Sequence, residues 1–395
     1  MKNDFLKYQA QTSGHPLLLE IKEAKGSYVF DKNDKKYLDF IAGVSANTLG
    51  HQPKPVVDAV KKQLDAYMHV MVYGEFIQEP QVALAKLLAE HLPISLNCTY
   101  LTNSGTEATE GALKLAKRVT GRFEIIAARN AYHGNTQGAM SVCGKEEQNA
   151  AFRPLVPGSS FIDFNNEEDI HKITKNTAAV ILETIQGGAG FIVPENKYLK
   201  RVKERCEAVG ALLILDEIQS GIGRTGSFFA FEQFDVSPDI LITGKGLGGG
   251  MPIGAFISSQ EMMIQLTENP KLGHITTFGG HPVIAAAAEA TLRTLFTSTL
   301  MDAVPKKEAL IRSLLVHDSI IEIRGKGLML AILLKEPELA DYLILEGLKH
   351  GILLFWLLYE AKAVRITPPL TITEDEIKQG CELILSILNK SKETT

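Results

Sequence analysis

Six short and almost continuous apolar runs constrain the fold of this chain more than any other feature of its sequence. They lie at residues 98–101, 123–128, 178–183, 211–216, 239–243 and 253–258. Strands that are covered on both faces of a sheet have this pattern, whereas half-exposed strands alternate apolar and polar residues. Helical segments are expected between some of the runs, at 105–120 and 195–209. This alternation predicts a doubly wound α/β domain with a mostly parallel central sheet, from about residue 60 to 295.

The two ends of the chain show different patterns. Residues 17–42 are typical of short strands joined by a turn, and the later segments SIIEIRG and LMLAILL resemble a pair of strands. Helices are expected at 337–350 and 373–390, and the polar residues 389–395 are expected to be frayed. We therefore predict three parts: an N-terminal segment that joins the small domain (1–55), a large domain (56–295) and a C-terminal small α+β domain (296–395).

Composition and charge exclude several classes of protein. The 395 residues carry a net charge of −5, which provides no general basic surface for nucleic acid. The N-terminus has no apolar signal sequence and no apolar run is long enough for a membrane span, so neither is expected. The wide spacing of the cysteines argues against a metal site and suits a reducing cytosol. The four cysteines are Cys98, Cys143, Cys206 and Cys381.

Lys245 is the first candidate for chemistry. It follows the apolar run 239–243 and precedes glycines at 246, 248, 249 and 250. An amine that a strand delivers into a glycine-lined pocket loses solvation, which lowers its pKa and makes the neutral amine available near neutral pH. A lysine that forms a Schiff base with a carbonyl requires that neutral amine. From this segment alone, a solvated lysine in a flexible loop is the alternative.

The segment NSGTEA, residues 103–108, is a candidate phosphate site. It follows an apolar run and opens a helix, where free N–H groups and the positive end of the helix dipole attract an anion. Gly105 allows the backbone to approach closely, and the hydroxyl of Thr106 can donate a hydrogen bond. An ordinary helix N-cap explains the same residues equally well.

Asp216 and Tyr132 are candidates to hold a planar ring. Asp216 ends the run ALLILD, where a carboxylate is costly unless a cation or hydrogen-bond donors compensate for burial. Strand carboxyl ends line the ligand crevice of an open α/β sheet, so Asp216 and Lys245 are expected near each other. There Asp216 can keep a basic ring nitrogen protonated, or alternatively cap a helix. Tyr132, followed by His133 and Gly134, can stack on a ring or pack in the core.

A phosphate site, an aromatic side chain, a strand-end aspartate and a strand-end lysine therefore follow one another along the chain. A phosphorylated heteroaromatic aldehyde uses all four groups. Pyridoxal phosphate (PLP) fits, with its phosphate at the helix N-terminus, its ring over Tyr132, its ring nitrogen at Asp216 and its aldehyde carbon at Lys245. A nucleotide-binding interpretation of Gly244-x-Gly246-x-x-Gly249 is weaker, because the expected helix opening is missing.

Seven motifs resemble, in order and spacing, those of class III aminotransferases of PLP fold type I, the acetylornithine, ornithine and 4-aminobutyrate type. Within residues 15–390 they are NSGTEA, YHG, E-x-IQGG, LDEIQSGIGRTG, ITGKGLGGGMPIGA, TTFGGHP and VRITPPL. The resemblance implies a large domain with a mostly parallel sheet and a smaller α+β domain from both chain ends. It also implies that Lys245 binds PLP covalently and moves the proton between substrate and cofactor, while Asp216 holds the pyridinium nitrogen.

The resemblance also assigns further contacts. Thr277 resembles the threonine that reaches the phosphate of the neighbouring subunit's cofactor, which implies an obligate homodimer with shared active sites. Arg365 resembles the arginine that binds a substrate carboxylate, with a rim arginine in an edge strand as the alternative. Glu183 resembles the glutamate that pairs with it when an ω-amine donor is bound, and a strand-end acid held by nearby backbone donors explains that residue equally well. Thr276 is assigned to the substrate site as well. The remaining implied cofactor contacts are Gly105, Thr106, Tyr132, His133 and Gln219, the last near the phenolic oxygen of the ring.

Several positions depart from the family pattern. Asn135 stands where many members carry an arginine for a second substrate carboxylate, and a neutral amide cannot replace that charge. The motif EPIQGEGG reads ETIQGGAG at residues 183–190, without its second glutamate, and His281 replaces a usual asparagine. The segment FWLL, residues 355–358, is bulky and either fills the substrate pocket or packs in the core. The family therefore does not name the donor.

We predict a cytoplasmic PLP-dependent aminotransferase. It moves an amino group from an ornithine-, lysine- or ω-amino-acid-like donor to a 2-oxo acid, with 2-oxoglutarate expected because Arg365 can hold its carboxylate. The expected partners are these small molecules and a second copy of the chain, without nucleic acid or membrane. A PLP-dependent aminomutase, decarboxylase or lyase on the same scaffold is the main alternative, and a non-catalytic PLP-binding protein is a third.

Overall fold

The computed structural model describes residues 1–393 of the chain. Within these residues the strands are β1 (Ile21–Lys25), β2 (Tyr28–Asp31), β3 (Lys36–Asp39), β4 (Cys98–Thr102), β5 (Glu124–Ala128), β6 (Ser159–Ile162), β7 (Thr177–Glu183), β8 (Leu212–Asp216), β9 (Ile240–Gly244), β10 (Gly254–Ser258), β11 (Ile320–Lys326), β12 (Met329–Leu334), β13 (Ile352–Leu353), β14 (Phe355–Trp356) and β15 (Ala363–Ile366). The helices are α1 (Lys2–Tyr8), α2 (Ala42–Ser45), α3 (Lys54–Ala66), α4 (Glu79–Glu90), α5 (Gly105–Thr120), α6 (Gln137–Ser141), α7 (Glu146–Asn149), α8 (Tyr198–Val209), α9 (Gln260–Met263), α10 (Pro282–Phe296), α11 (Leu300–Leu314), α12 (Pro337–His350) and α13 (Glu374–Glu393).

The central sheet of the described chain has seven strands in the order β4-β10-β9-β8-β7-β5-β6. Strand β10 is antiparallel to β4 and β9, and the neighbouring pairs from β9 to β6 are parallel. Every residue of β7, β8, β9 and β10 is buried. The six apolar runs therefore form strands of a mostly parallel sheet, as predicted. Strand β6 was missed because its sequence, SSFI, contains only two apolar residues.

Successive residues of the central strands pack into two separate cores. In β7, Val180 and Leu182 belong to the larger core, which also contains the apolar face of α8. Ala179 and Ile181 belong to the smaller core, which contains the apolar face of α5. Because side chains alternate across a strand, this division means that the sheet is covered on both faces. The doubly wound α/β architecture is therefore confirmed.

Two smaller sheets contain the strands from the chain ends. One has the order β1-β2-β3-β13, and β13 pairs with β3 in parallel, so the N-terminal and C-terminal segments share a sheet as predicted. The other has the order β11-β12-β15-β14 with antiparallel pairs. The short strand β14 was not predicted. The boundaries of the three predicted parts stay predictions.

The last helix is longer than predicted. Helix α13 continues to Glu393, so residues 389–393 are helical rather than frayed, and residues 394 and 395 lie outside the described residues. Within residues 1–393, no helix combines the length and the apolar character that a membrane crossing requires.

Candidate active site

Three neighbouring parallel strands end in charged residues at one edge of the central sheet. Glu183 ends β7 and lies in register with Asp216, which ends β8. Lys245 directly follows β9, the next strand of the sheet. Carboxyl ends of parallel strands meet at the same edge, which explains why residues so distant in sequence converge.

A cavity of about 600 Å³ opens at this edge. Nine of the residues predicted for the site line the wall of this cavity. They lie on strands of two sheets and on the segments that connect the strands. They are Gly105, Thr106, Tyr132, His133, Glu183, Asp216, Gln219, Lys245 and Arg365. The predicted convergence of these side chains is therefore observed, whereas their individual roles remain predictions.

Lys245 is a partly buried residue whose amine has a perturbed pKa. Loss of solvation and the nearby guanidinium of Arg365 lower the pKa of its ammonium group to about 8, against the opposing effect of Asp216 and Glu183. Its φ of 42° lies in the left-handed region, and the glycines on either side relieve crowding. A Cβ atom at Gly246, for example, would lie 2.3 Å from Oγ1 of Thr48. The neutral amine is thus accessible close to physiological pH.

Asp216 is held by two hydrogen bonds beneath the cavity. Its Oδ1 accepts from the backbone N–H of Ile218 at 3.0 Å, and its Oδ2 accepts from Nδ1 of His133 at 2.8 Å. His133 is buried, and its Nε2 has no partner among the described residues, which fits an Nδ1–H tautomer that donates to the carboxylate. His133 therefore orients Asp216 and leaves the carboxylate facing the cavity.

The N-terminus of α5 forms the anion-binding end of the cavity. Ser104 caps the helix by accepting from the N–H of Glu107, and the first-turn N–H groups of Gly105 and Thr106 have no acceptor within the helix. Gly134 packs directly against Thr106, because a Cβ atom at Gly134 would lie 2.2 Å from Oγ1 of that residue. These N–H groups and the helix dipole suit a phosphate.

The hydroxyl of Thr106 is already committed to a hydrogen-bond chain. Thr136 donates its hydroxyl proton to the carboxylate of Glu110 at 2.6 Å, because a carboxylate can only accept. The contact between the hydroxyls of Thr106 and Thr136, at 2.8 Å, therefore uses the proton of Thr106. In this arrangement the backbone N–H groups are the donors left free for an anion, and the contact of the Thr106 hydroxyl with a phosphate stays a prediction. The sequence analysis did not identify Glu110 or Thr136.

Arg365 presents an uncompensated cation to the cavity. The side chain is buried on β15, and neither Nε nor Nη1 has a hydrogen-bond partner among residues 1–393. Its guanidinium lies 5.6 Å from the ring centroid of Phe191. Burial lowers the pKa of Arg365 to about 10, so the group stays charged at neutral pH. Two free N–H groups on a planar cation match a carboxylate.

Glu183 is held by two backbone donors. Its Oε1 accepts from the N–H of Gly187 at 3.0 Å and its Oε2 accepts from the N–H of Tyr132 at 3.2 Å. The predicted pair with Arg365 concerns the enzyme with an ω-amine donor bound and stays a prediction. Burial raises the pKa of Glu183 to about 7, and this rise is opposed by His133 and by the two backbone hydrogen bonds.

Three other predicted residues occupy different surroundings. Gln219 lines the cavity and donates from Nε2 to Oγ of Ser45 at 3.5 Å. Thr276 and Thr277 do not line the cavity of the described chain. The hydroxyl of Thr276 accepts from the N–H of Gly279 at 2.8 Å, and Thr277 is exposed.

A strained segment that the sequence did not reveal also reaches the cavity. The φ angles of residues 42, 43, 44 and 45 are 48°, 60°, 60° and 67°, all in the left-handed region. Each non-glycine residue there costs roughly 1–2 kcal/mol, and Val44 is β-branched. Asp39 holds the segment by accepting from the N–H groups of Ile41 and Ala42 at 2.8 and 2.9 Å. The strain places Val44 in the cavity wall.

Comparison with known proteins assigns a family to this arrangement. The sequence model of the family described as "Aminotransferase class-III" matches residues 8–388. An acetylornithine aminotransferase of Methanopyrus kandleri is 39% identical over 389 residues, with 98% of each chain covered. A putrescine aminotransferase of Pectobacterium atrosepticum is 38% identical, with 98% of this chain and 86% of the relative covered. The ornithine aminotransferase structure from Toxoplasma gondii has a TM-score of 0.92 at 30% identity, covering 100% of this chain and 95% of its own.

The residues at the cavity fit PLP, the cofactor of class III aminotransferases. The first turn of α5 supplies free N–H groups for the phosphate, Asp216 offers a fixed carboxylate for the ring nitrogen, and Lys245 offers a buried amine for the aldehyde. Tyr132 lines the same wall. The phosphate, the ring nitrogen and the aldehyde of the cofactor would each find a complementary group of the protein.

The pKa of Lys245 predicts how the cofactor-free enzyme reacts with an aldehyde. Only the neutral amine attacks, so the rate of coupling to pyridoxal should rise with pH and reach half its maximum near pH 8. Stopped-flow absorbance of cofactor-free protein across pH 6–11 measures this rate. Lys245→Ala provides the background from exposed lysines. A half-maximum at or above pH 10 would contradict the buried, destabilised ammonium group.

Proposed function

The chain belongs to the class III aminotransferases, and we propose that it transfers an amino group from an ornithine-, lysine- or ω-amino-acid-like donor to a 2-oxo acid. One observation carries the proposal: an amine of lowered pKa, a fixed carboxylate and a guanidinium whose Nε and Nη1 have no partner among residues 1–393 share one cavity. Relatives named acetylornithine, putrescine and ornithine aminotransferases support a donor with a terminal amine. The predicted cytoplasmic location stays a prediction.

PLP supplies an electron sink for the charge that develops when a substrate C–H bond breaks. With PLP bound, Asp216, fixed by His133 and the N–H of Ile218, would keep the ring nitrogen protonated and so sustain that sink. Lys245 would be the base that takes the proton from the reacting carbon. Its pKa of about 8 suits proton transfer in both directions near neutral pH.

Arg365 is proposed to hold the carboxylate of the 2-oxo acid. Arg365 lines the same cavity as Lys245, and its charge lowers the pKa of that amine, so a carboxylate on Arg365 would share the cavity with the reactive amine. The guanidinium has two N–H groups free for this contact. 2-Oxoglutarate is the acceptor that the sequence analysis expects and the first to test.

Transfer of labelled nitrogen tests the proposed reaction. The PLP-loaded enzyme is incubated with ¹⁵N-labelled donors (ornithine, lysine, putrescine and 4-aminobutyrate) and with 2-oxoglutarate, pyruvate or glyoxylate. At least one pair should yield a ¹⁵N-labelled amino acid by mass spectrometry. Asp216→Ala should retain PLP yet lose at least about 100-fold in turnover, as expected when a preorganised charge is removed from an active site.

The same experiment separates the alternative enzyme classes. Loss of carbon dioxide from the donor would indicate a decarboxylase. Migration of the label within one molecule would indicate a mutase, and elimination without a labelled amino acid would indicate a lyase. Full turnover by Asp216→Ala would contradict the role given to that carboxylate.

We further propose that the enzyme is a homodimer in which Thr277 reaches the cofactor phosphate of the second subunit. Large apolar side chains are exposed on the segments around Thr277 and on residues 68–82, including Ile77 at 95% and Phe278 at 52% exposure. The others are Met68, Val70, Met71, Phe76, Val82, Leu272 and Ile275. Such a concentration of exposed apolar groups is typical of a surface that a partner covers. A second copy of the chain accounts both for this surface and for the distance of Thr277 from its own cavity.

Substitution of Phe278 tests the dimer. The wild-type protein should be a dimer by light scattering at micromolar concentration, and Phe278→Asp should shift it towards monomer and lower its affinity for PLP. Val316→Asp, which places the same charge at a residue with 75% exposure on another surface, is the matched control and should stay dimeric. A wild-type monomer that binds PLP with full affinity would exclude the shared site.

A further inference from the structure

One wall of the cavity is made of large apolar side chains beside Arg365. Phe355 on β14 lies directly opposite Arg365 on β15, and opposite residues of an antiparallel pair project from the same face. Phe355 is 38% exposed and Leu358 is 49% exposed, and both line the cavity. The sequence left open whether this segment packs in the core or fills the pocket. These two side chains face the pocket.

The wall is fixed in place by contacts with neighbouring segments of the chain. The indole N–H of Trp356 donates to the carboxylate of Asp341 on α12 at 2.6 Å. The N–H of Tyr359 donates to the carbonyl of Gly188 at 2.9 Å, and a Cβ atom at Gly188 would lie 2.9 Å from the ring of Tyr359. Leu357 is buried in a core cluster with Ile185. The surrounding structure therefore holds the wall in position, which would not be so for a free loop.

The cavity offers few cations to a substrate. Apart from Lys245, Arg365 is the only lysine or arginine on the described wall, and the Nδ1 of His133 is bonded to Asp216. Position 135 carries a neutral amide, and Val44 and Ile185 add aliphatic surface. Arg365 can neutralise one carboxylate. A second carboxylate against Phe355 and Leu358 would lose water without gaining a partner.

We propose that the wall of Phe355–Leu358, Val44 and Ile185 binds an uncharged apolar chain, so that the preferred acceptor carries one carboxylate, on Arg365, and an apolar far end. The inference rests on the proposed function and narrows its substrate class. A terminal methyl group gains from burial against the wall, whereas a terminal carboxylate at the same position is penalised. The apolar wall therefore favours a monocarboxylic 2-oxo acid over 2-oxoglutarate as the acceptor.

Two acceptors of equal chain length provide the test. 2-Oxopentanoate and 2-oxoglutarate have the same five carbons and differ only in a terminal methyl or carboxylate. The enzyme is loaded with pyridoxamine phosphate and mixed with each acceptor, and absorbance follows the single half-reaction, so that no donor is needed. The second-order rate constant should be at least tenfold higher for 2-oxopentanoate. A wild-type enzyme that prefers 2-oxoglutarate would overturn the inference.

Variants of the wall assign the preference to these residues. Asn135→Arg should raise the ratio of the 2-oxoglutarate rate to the 2-oxopentanoate rate at least tenfold, because it adds a guanidinium. Phe355→Ala should lower the 2-oxopentanoate rate more than the 2-oxoglutarate rate, and Phe355→Leu should restore most of it. An unchanged ratio in both Asn135→Arg and Phe355→Ala would contradict the wall's role. Binding of pyridoxamine phosphate, measured by absorbance, confirms that each variant is folded.

The outcome also separates this inference from the proposed function. If neither acceptor reacts although the cofactor is bound, both the aminotransferase proposal and the inference about the apolar wall fail. If both react and 2-oxoglutarate is faster, the aminotransferase proposal stands and the apolar wall does not select the acceptor.

Discussion

Burial of charge at the carboxyl ends of β7, β8 and β9 is the constraint on which the rest of the structure depends. The sheet carries Glu183, Asp216 and Lys245 out of water together, and the two carboxylates are compensated by backbone N–H groups and by His133. The ammonium group of Lys245 loses solvation and its pKa falls to about 8. Arg365 remains charged on the same wall, and its Nε and Nη1 have no partner among the described residues. The folded chain therefore offers the amine of Lys245 for reaction with an aldehyde and the guanidinium of Arg365 for binding a carboxylate.

The loop after β8 contains two further buried charged groups that are compensated by hydrogen bonds, and neither of them lines the cavity. The carboxylate of Glu217 is fully buried and accepts from the N–H groups of Ala230 and Phe231 at 2.9 and 2.7 Å. The buried guanidinium of Arg224 donates to the carbonyl oxygens of Leu328 and Pro368, in the C-terminal part of the chain. These contacts fix the loop that begins at Asp216 and attach it to the segment that follows Arg365. The groups that act on the cofactor and on the substrate are thereby held in one frame.

The sequence predicted most of the central sheet because its strands are buried on both faces and therefore apolar throughout. It also predicted the convergence of Asp216 and Lys245, because both end such strands. It could not predict the β14 wall, since FWLL is equally compatible with a core strand, nor the left-handed backbone that exposes Val44. It left open whether Glu183 pairs with Arg365 or is held by backbone donors, and in this structure the N–H groups of residues 132 and 187 hold its carboxylate. Such details depend on contacts between segments that are far apart in the chain.

The central claim is that the cofactor is held covalently by the amine that β9 delivers to this cavity. Reduction of the PLP-loaded enzyme with borohydride, followed by proteolysis and mass spectrometry, tests it most directly. The account predicts a single pyridoxyl group on the peptide that contains Lys245, and no stable adduct in Lys245→Ala. A pyridoxyl group on another peptide, or complete retention of the adduct in that variant, would contradict the assignment of the active site.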